Sequence, residues 1–196
     1  MRLSSVVALC VVTAAIAAPK NSDIPTGAWY LSFVDALAKQ AKWAPLRRTD
    51  VPSGSMEIRV WVGFGTQPLR GIRIRKDLNR WTGLYVREEL RGEWAFQSRE
   101  VKPKSWTDLW KKVEALGILT LPDSSTLPRE GFMLDGVGCA VEINDGVTYR
   151  TYHYSNPQAR TWPEAKKIDQ IVGLLLAELI PFDRYIISDW SRGRDR

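Results

Sequence analysis

Residues 56–64 alternate between apolar and mixed positions. Met56, Ile58, Val60, Val62 and Phe64 fall on one side of an extended chain, and Glu57, Arg59 and Trp61 on the other. A period of two is the signature of a strand with one face in a core. Residues 69–76 repeat the pattern, with Ile72 and Ile74 opposed by Arg73 and Arg75. Two further runs, 84–90 and 94–101, predict a third and a fourth strand joined by a turn at Arg91-Gly92. Together these make a four-stranded antiparallel meander.

Elsewhere the period lengthens to that of a helix. Trp29, Phe33 and Leu37 recur at i, i+4 and i+8, predicting a helix over 27–42 whose apolar stripe they form, with Pro45 beyond its end. A second helix follows Ser105, an N-cap with Asp108 three residues on, and carries the stripe Trp106, Leu109, Trp110, Val113, Leu116 before Gly117. A third opens with Thr161 and Glu164 as a capping box, buries Ala165, Ile168, Ile171, Val172, Leu175 and Leu179, and stops at Pro181.

Between the last two helices lies a hairpin. Val137, Cys139, Val141 and Ile143 alternate up to Asn144-Asp145-Gly146, and the return strand runs over 147–154. A three-residue loop pairs Ile143 with Val147 and matches apolar with apolar. It puts Tyr149, Thr151 and His153 on the apolar face and Glu142, Arg150, Tyr152 and Tyr154 on the polar one. A two-residue Asp145-Gly146 turn would exchange those sets. The fold expected is α+β: an antiparallel sheet, meander plus C-terminal hairpin, with the helices packed on one face as a two-layer sandwich.

The first residues follow a different pattern. Arg2 precedes an apolar run over 6–17 that ends in small residues, with Ala15 and Ala17 spaced for cleavage before Ala18. This reads as a cleavable secretory signal, since the run is shorter than the roughly 20 residues that span a bilayer. The expected organisation is a signal peptide at 1–17, a linker at 18–26, one domain at 27–190 and a flexible basic tail at 191–196. The mature chain, with no transmembrane helix, would be periplasmic or secreted.

Charge refines this picture. The chain is basic, with a net charge of +6, or +5 once Arg2 is removed. Export argues against nucleic acid as the target, leaving an anionic envelope polymer or an acidic protein as partner. Of two cysteines only Cys139 lies outside the signal, so no intramolecular disulfide is expected in the mature chain.

Several stretches resemble exported bacterial proteins built on domains of unknown function. They are residues 57–61 (Glu-Ile-Arg-Val-Trp), 106–123 ending in Gly-Ile-Leu-Thr-Leu-Pro-Asp, Asp135-Gly136, residues 141–143, and residues 149–157. The resemblance implies export and a small α+β fold; it implies no activity and transfers no functional residue.

Candidate chemistry is sparse. His153 is the sole histidine, and Cys139 as its only partner makes no zinc set. A Cys139–His153 pair on one face is a conceivable nucleophilic site, against the reading of both as core. Asp135, Glu142 and Asp145 around the hairpin could supply an acid–base pair, although Asp135-Gly136 and Asp145-Gly146 are ordinary turn sequences and Glu142 could balance Arg150. The 123–125 loop lacks the regular oxygen spacing of a calcium site. No cofactor is expected.

The constellation that stands out is Arg150, Tyr152 and Tyr154 on the polar hairpin face, extended by Arg73, Arg75 and Trp61. Arginine offers a planar fork for carboxylate or phosphate, and tyrosine and tryptophan offer apolar area at low entropy cost. The expectation is a non-enzymatic envelope binding or interaction domain using this Arg/Tyr/Trp face. A small envelope hydrolase with a carboxylate site and a structural envelope component stand as alternatives.

Overall fold

A computed structural model describes residues 21–65, 68–88, 96–130, 136–183 and 190. The expected signal peptide, the Arg91-Gly92 turn, Asp135 and the basic tail lie outside the described residues.

Seven strands form one mostly antiparallel sheet: β1 (Asn21–Asp23), β2 (Ser55–Gly65), β3 (Arg70–Asp77), β4 (Arg80–Glu88), β5 (Phe96–Glu100), β6 (Val137–Asn144) and β7 (Thr148–Tyr154). Their order across the sheet is β1-β7-β6-β2-β3-β4-β5. Every pair is antiparallel except β1 with β7, so the stretch read as a linker supplies a short parallel edge strand. Among the described residues three α-helices accompany the sheet: α1 (Tyr30–Gln40), α2 (Trp106–Ala115) and α3 (Pro163–Leu179).

The helices are divided between the two faces of the sheet rather than gathered on one. Ile58, Val60, Val62, Ile72, Ile74, Tyr85 and Val141 pack with Leu109 and Val113 of α2 and with the apolar stripe of α3. Trp61, Val86 and Ala140, which point the other way, pack with Tyr30, Val34, Leu37 and Ala38 of α1. The physical reason is that β2 carries two buried faces. Glu57, Arg59 and Trp61 are as inaccessible as the valines between them, and a face that dry needs its own cover.

The second helix follows its local signals, the Asp108 N–H donating to Ser105 Oγ at 3.2 Å. The other two depart from theirs. In α1 the buried stripe is Tyr30, Val34, Leu37 and Ala38, which leaves Trp29 and Phe33 on the outer side at 59% and 57% exposure. Helix α3 starts at Pro163 with no side-chain cap, and the Thr161 hydroxyl donates to Glu130 instead of closing a box with Glu164. Pro163 suits the first helical position, where the missing N–H costs nothing.

The hairpin register is also corrected. Asn144 pairs with Tyr149, Ile143 with Arg150, Val141 with Tyr152 and Cys139 with Tyr154. The turn forms around Asp145, whose Oδ1 accepts from the Val147 and Thr148 N–H groups at 2.9 and 2.7 Å. An Asx-type turn held by these bonds supersedes the three-residue loop, and the odd shift in register exchanges the faces of β7.

Two glycines let tryptophan rings lie flat on the sheet. A Cβ on Gly71 would come within 2.7 Å of the Trp61 ring, and one on Gly83 within 2.8 Å of the Trp106 ring. Gly71→Ala is therefore expected to destabilise the fold by about 1–3 kcal/mol through overpacking. Urea unfolding should show a lower midpoint at an unchanged slope.

Candidate functional site

With the register known, the expected binding face separates into side chains that do different work. Tyr152 and Tyr154 point into the layer beneath α2 and α3, both buried, with ring centroids 6.1 Å apart. The Tyr152 hydroxyl donates to the Ile118 carbonyl at 2.7 Å and that of Tyr154 to the Pro122 carbonyl at 2.8 Å, so both fasten the loop that follows α2. Arg150 lies over the Tyr152 ring and donates to the carbonyls of Leu119 and Leu121. Its fork is spent on backbone oxygens of the loop after α2, and its Nε lies 3.5 Å from Asp23 of β1. These three residues form a strut, not a solvated surface.

Trp61, Arg73 and Arg75 lie on the opposite face. Trp61 is fully buried, with its Nε1 donating to Glu142 Oε2 at 2.8 Å. The Tyr149 hydroxyl donates to the other oxygen of Glu142 at 3.0 Å. Burial pushes the Glu142 carboxyl above the usual carboxylate range, while the nearby Arg59 charge and these two hydrogen bonds pull it back. Glu142 and Arg150 therefore do not balance each other across one face.

Beside it runs a second buried pair. Glu57 accepts from Arg59 Nε at 2.8 Å and from Arg73 Nη2 at 2.9 Å, and both guanidinium groups lie over the Trp43 ring. Arg59 also donates to the Ala44 carbonyl, tying the segment after α1 to the sheet. Arg75 pairs with Asp77 at 2.9 Å near the surface, where such a bridge contributes little. Arg59 thus pairs with Glu57 and also attracts the Glu142 carboxyl, beneath the segment that follows α1.

The nucleophilic and acid–base pairs considered from sequence come apart as well. Cys139 faces α2 and α3, whereas His153 faces α1, because adjacent strand residues diverge. Burial raises the Cys139 thiol far above its ordinary range, the opposite of an activated nucleophile. Asp145 holds the turn. Among the described residues no three His, Cys, Asp or Glu side chains gather to hold a metal ion.

What remains near the surface is an aromatic group at the start of α1. Trp29 meets Phe33 edge-on at 6.0 Å and His153 at 5.2 Å, while Tyr30 stacks on His153 at 5.1 Å. Tyr30 donates to Asp123 Oδ2 at 3.2 Å, and that oxygen also accepts the His153 backbone N–H at 2.8 Å. Asp123 Oδ1 caps the 3-10 turn Ser124–Thr126 by accepting from Ser125. The sequence signal that could have found Asp123 is its place as an N-cap before Ser-Ser-Thr. Nothing local distinguishes Tyr30 from Trp29 as the inward residue.

No protein-family model matches the chain, and no curated protein is similar to it in sequence.

Two stability outcomes follow. Tyr152→Ala is expected to cost about 3–5 kcal/mol in thermal unfolding, as for any fully buried aromatic. Glu142→Leu strands the Trp61 and Tyr149 donors and breaks a buried charge set, and should cost about 3–5 kcal/mol in the same assay. Melting of either variant within 1 kcal/mol of the parent, on the order of a surface change, would refute the structural role given to these groups.

Proposed function

We propose that this chain is an exported, non-enzymatic interaction domain whose contact surface is the outer side of α1, centred on Trp29 and Phe33. The observation that carries the reading is the exposure of these two side chains, 59% and 57%, on a helix whose inner stripe is already satisfied. Large aromatics left in water at one place favour a partner that dehydrates them. The resemblance to exported bacterial proteins and the N-terminal apolar run support export.

The partner best matched is an acidic protein with an apolar patch. The chain carries a net charge of +6, and the first turn of α1 contains no acidic side chain to repel it. Non-enzymatic character draws support from the fate of the polar side chains: Glu57, Glu142 and Asp123 are buried and occupied in accepting hydrogen bonds from Arg59, Trp61 and Tyr30.

The test uses the Trp29→Ser/Phe33→Ser double variant. Its thermal stability should fall by no more than about 1–2 kcal/mol, since both rings are more than half exposed and the main loss is the edge contact of Trp29 with His153. Retention of the chain on an immobilised envelope protein fraction should be lost with the two rings. Equal retention of parent and variant would remove α1 as the contact surface.

A further inference from the structure

We infer that His153 is an acid-operated latch for the first turn of α1: neutral, it packs on Tyr30 and meets the edge-on ring of Trp29, and charged, it releases them.

The geometry begins with an unpartnered atom. His153 is 6% exposed, and its Nε2 has no hydrogen-bond partner among the described residues. The ring is enclosed by Tyr30, stacked at an interplanar angle of 23°, by Trp29, and by Phe64 edge-on at 5.7 Å. On the β6 side the neighbour is Gly138, where even a Cβ would come within 3.2 Å of Nε2. A neutral imidazole tolerates this apolar seat; an imidazolium loses its hydration there and gains no acceptor at Nε2.

The titratable groups facing the ring, among the described residues, are Tyr30 from α1 and Asp123 from the 3-10 turn. Burial pushes the Tyr30 phenol upward, so it stays neutral. Asp123 attracts a charged ring, yet it already accepts from Tyr30, Ser125 and the His153 backbone. Desolvation outweighs that attraction and takes the imidazole down to about 4.

The element that packs on the ring is the weakly capped start of α1. Trp29 occupies the N-cap with no side-chain hydrogen bond, and the first turn has no acidic residue to favour the helix dipole. Beyond the packing of Tyr30 with Trp61, Val86 and Ala140, its tertiary ties are the ring contacts to His153 and the Tyr30–Asp123 hydrogen bond. Helix α3, by contrast, buries eight side chains. Opening is therefore local.

In the opened state the imidazole titrates near its ordinary value of about 6.5, and in the closed state near 4. Between those values the open state binds more protons, so acid favours opening, and below the lower one no further gain accrues. The opening constant should rise roughly 300-fold across the window. The latch operates whether or not α1 has a partner.

The single histidine makes a direct test available: the Cε1–H resonance of the untagged full chain can be followed from pH 7.5 to 3.5 alongside amide exchange corrected for intrinsic rates. The expected result is a titration midpoint well below 6.5 and loss of protection at residues 30–34 over the same range, with α3 still protected. In His153→Phe that loss should vanish, and in Asp123→Asn, which removes the carboxylate, it should persist. A midpoint near 6.5, loss of protection in α3 together with α1, or an unchanged profile in His153→Phe would overturn the proposal. Should His153→Phe fail to fold, the parent's resonance and exchange profile decide alone.

Discussion

Asn144 pairs with Tyr149, and because strand side chains alternate, that single alignment sends every residue of β7 to its layer. Tyr152 and Tyr154 go beneath α2 and α3, where their hydroxyls hold the loop after α2. Tyr149, Thr151 and His153 go beneath α1. Tyr149 meets Glu142 there, Glu142 meets Trp61, and His153 meets the first turn of the helix. Moving the pairing by one residue would bury the wrong set in both layers at once.

The layer under α1 is unusual in what it buries. Glu57, Arg59 and Glu142 are nearly inaccessible; Glu57 is held by Arg59 and by Arg73 of β3, Arg59 also by the Ala44 carbonyl, and Glu142 by Trp61 of β2 and Tyr149 of β7. Such groups add little net stability when complete and cost several kcal/mol, on the order of 3–5, when one member is removed. Their effect is to specify: α1 and the segment after it can settle only where Ala44 meets Arg59 and the carbonyls of Leu46 and Thr49 meet Asn144. The apolar layer under α2 and α3 supplies the bulk of the burial, and the polar layer supplies the register of its cover.

Two consequences meet at the start of α1. The inward turn of Tyr30 leaves Trp29 and Phe33 outside, which creates the aromatic surface proposed as the contact. The same turn presses Tyr30 onto His153, which couples that surface to protonation. A buried imidazole with no partner for Nε2 among the described residues is tolerated where it serves only as a neutral ring, and this is what the proposed acid latch depends on.

The local patterns determined a good deal. Alternation over 56–64 put Ile58, Val60 and Val62 against one layer and Glu57, Arg59 and Trp61 against the other, because a strand's period is independent of its neighbours. The Ser105 cap and the stripe of α3 are likewise written within a few residues. Tertiary structure decided the rest. Which of two adjacent aromatics on α1 points inward depends on His153 and Asp123, far along the chain, and the faces of β7 depend on a turn whose geometry Asp145 closes. Whether the Glu57–Arg59–Trp61 face is solvated or covered depends on where α1 lands. The binding face read from Arg150, Tyr152 and Tyr154 dissolved for this reason: polar tips identify groups that need hydrogen-bond partners, and only the folded chain determines whether those partners are water or backbone.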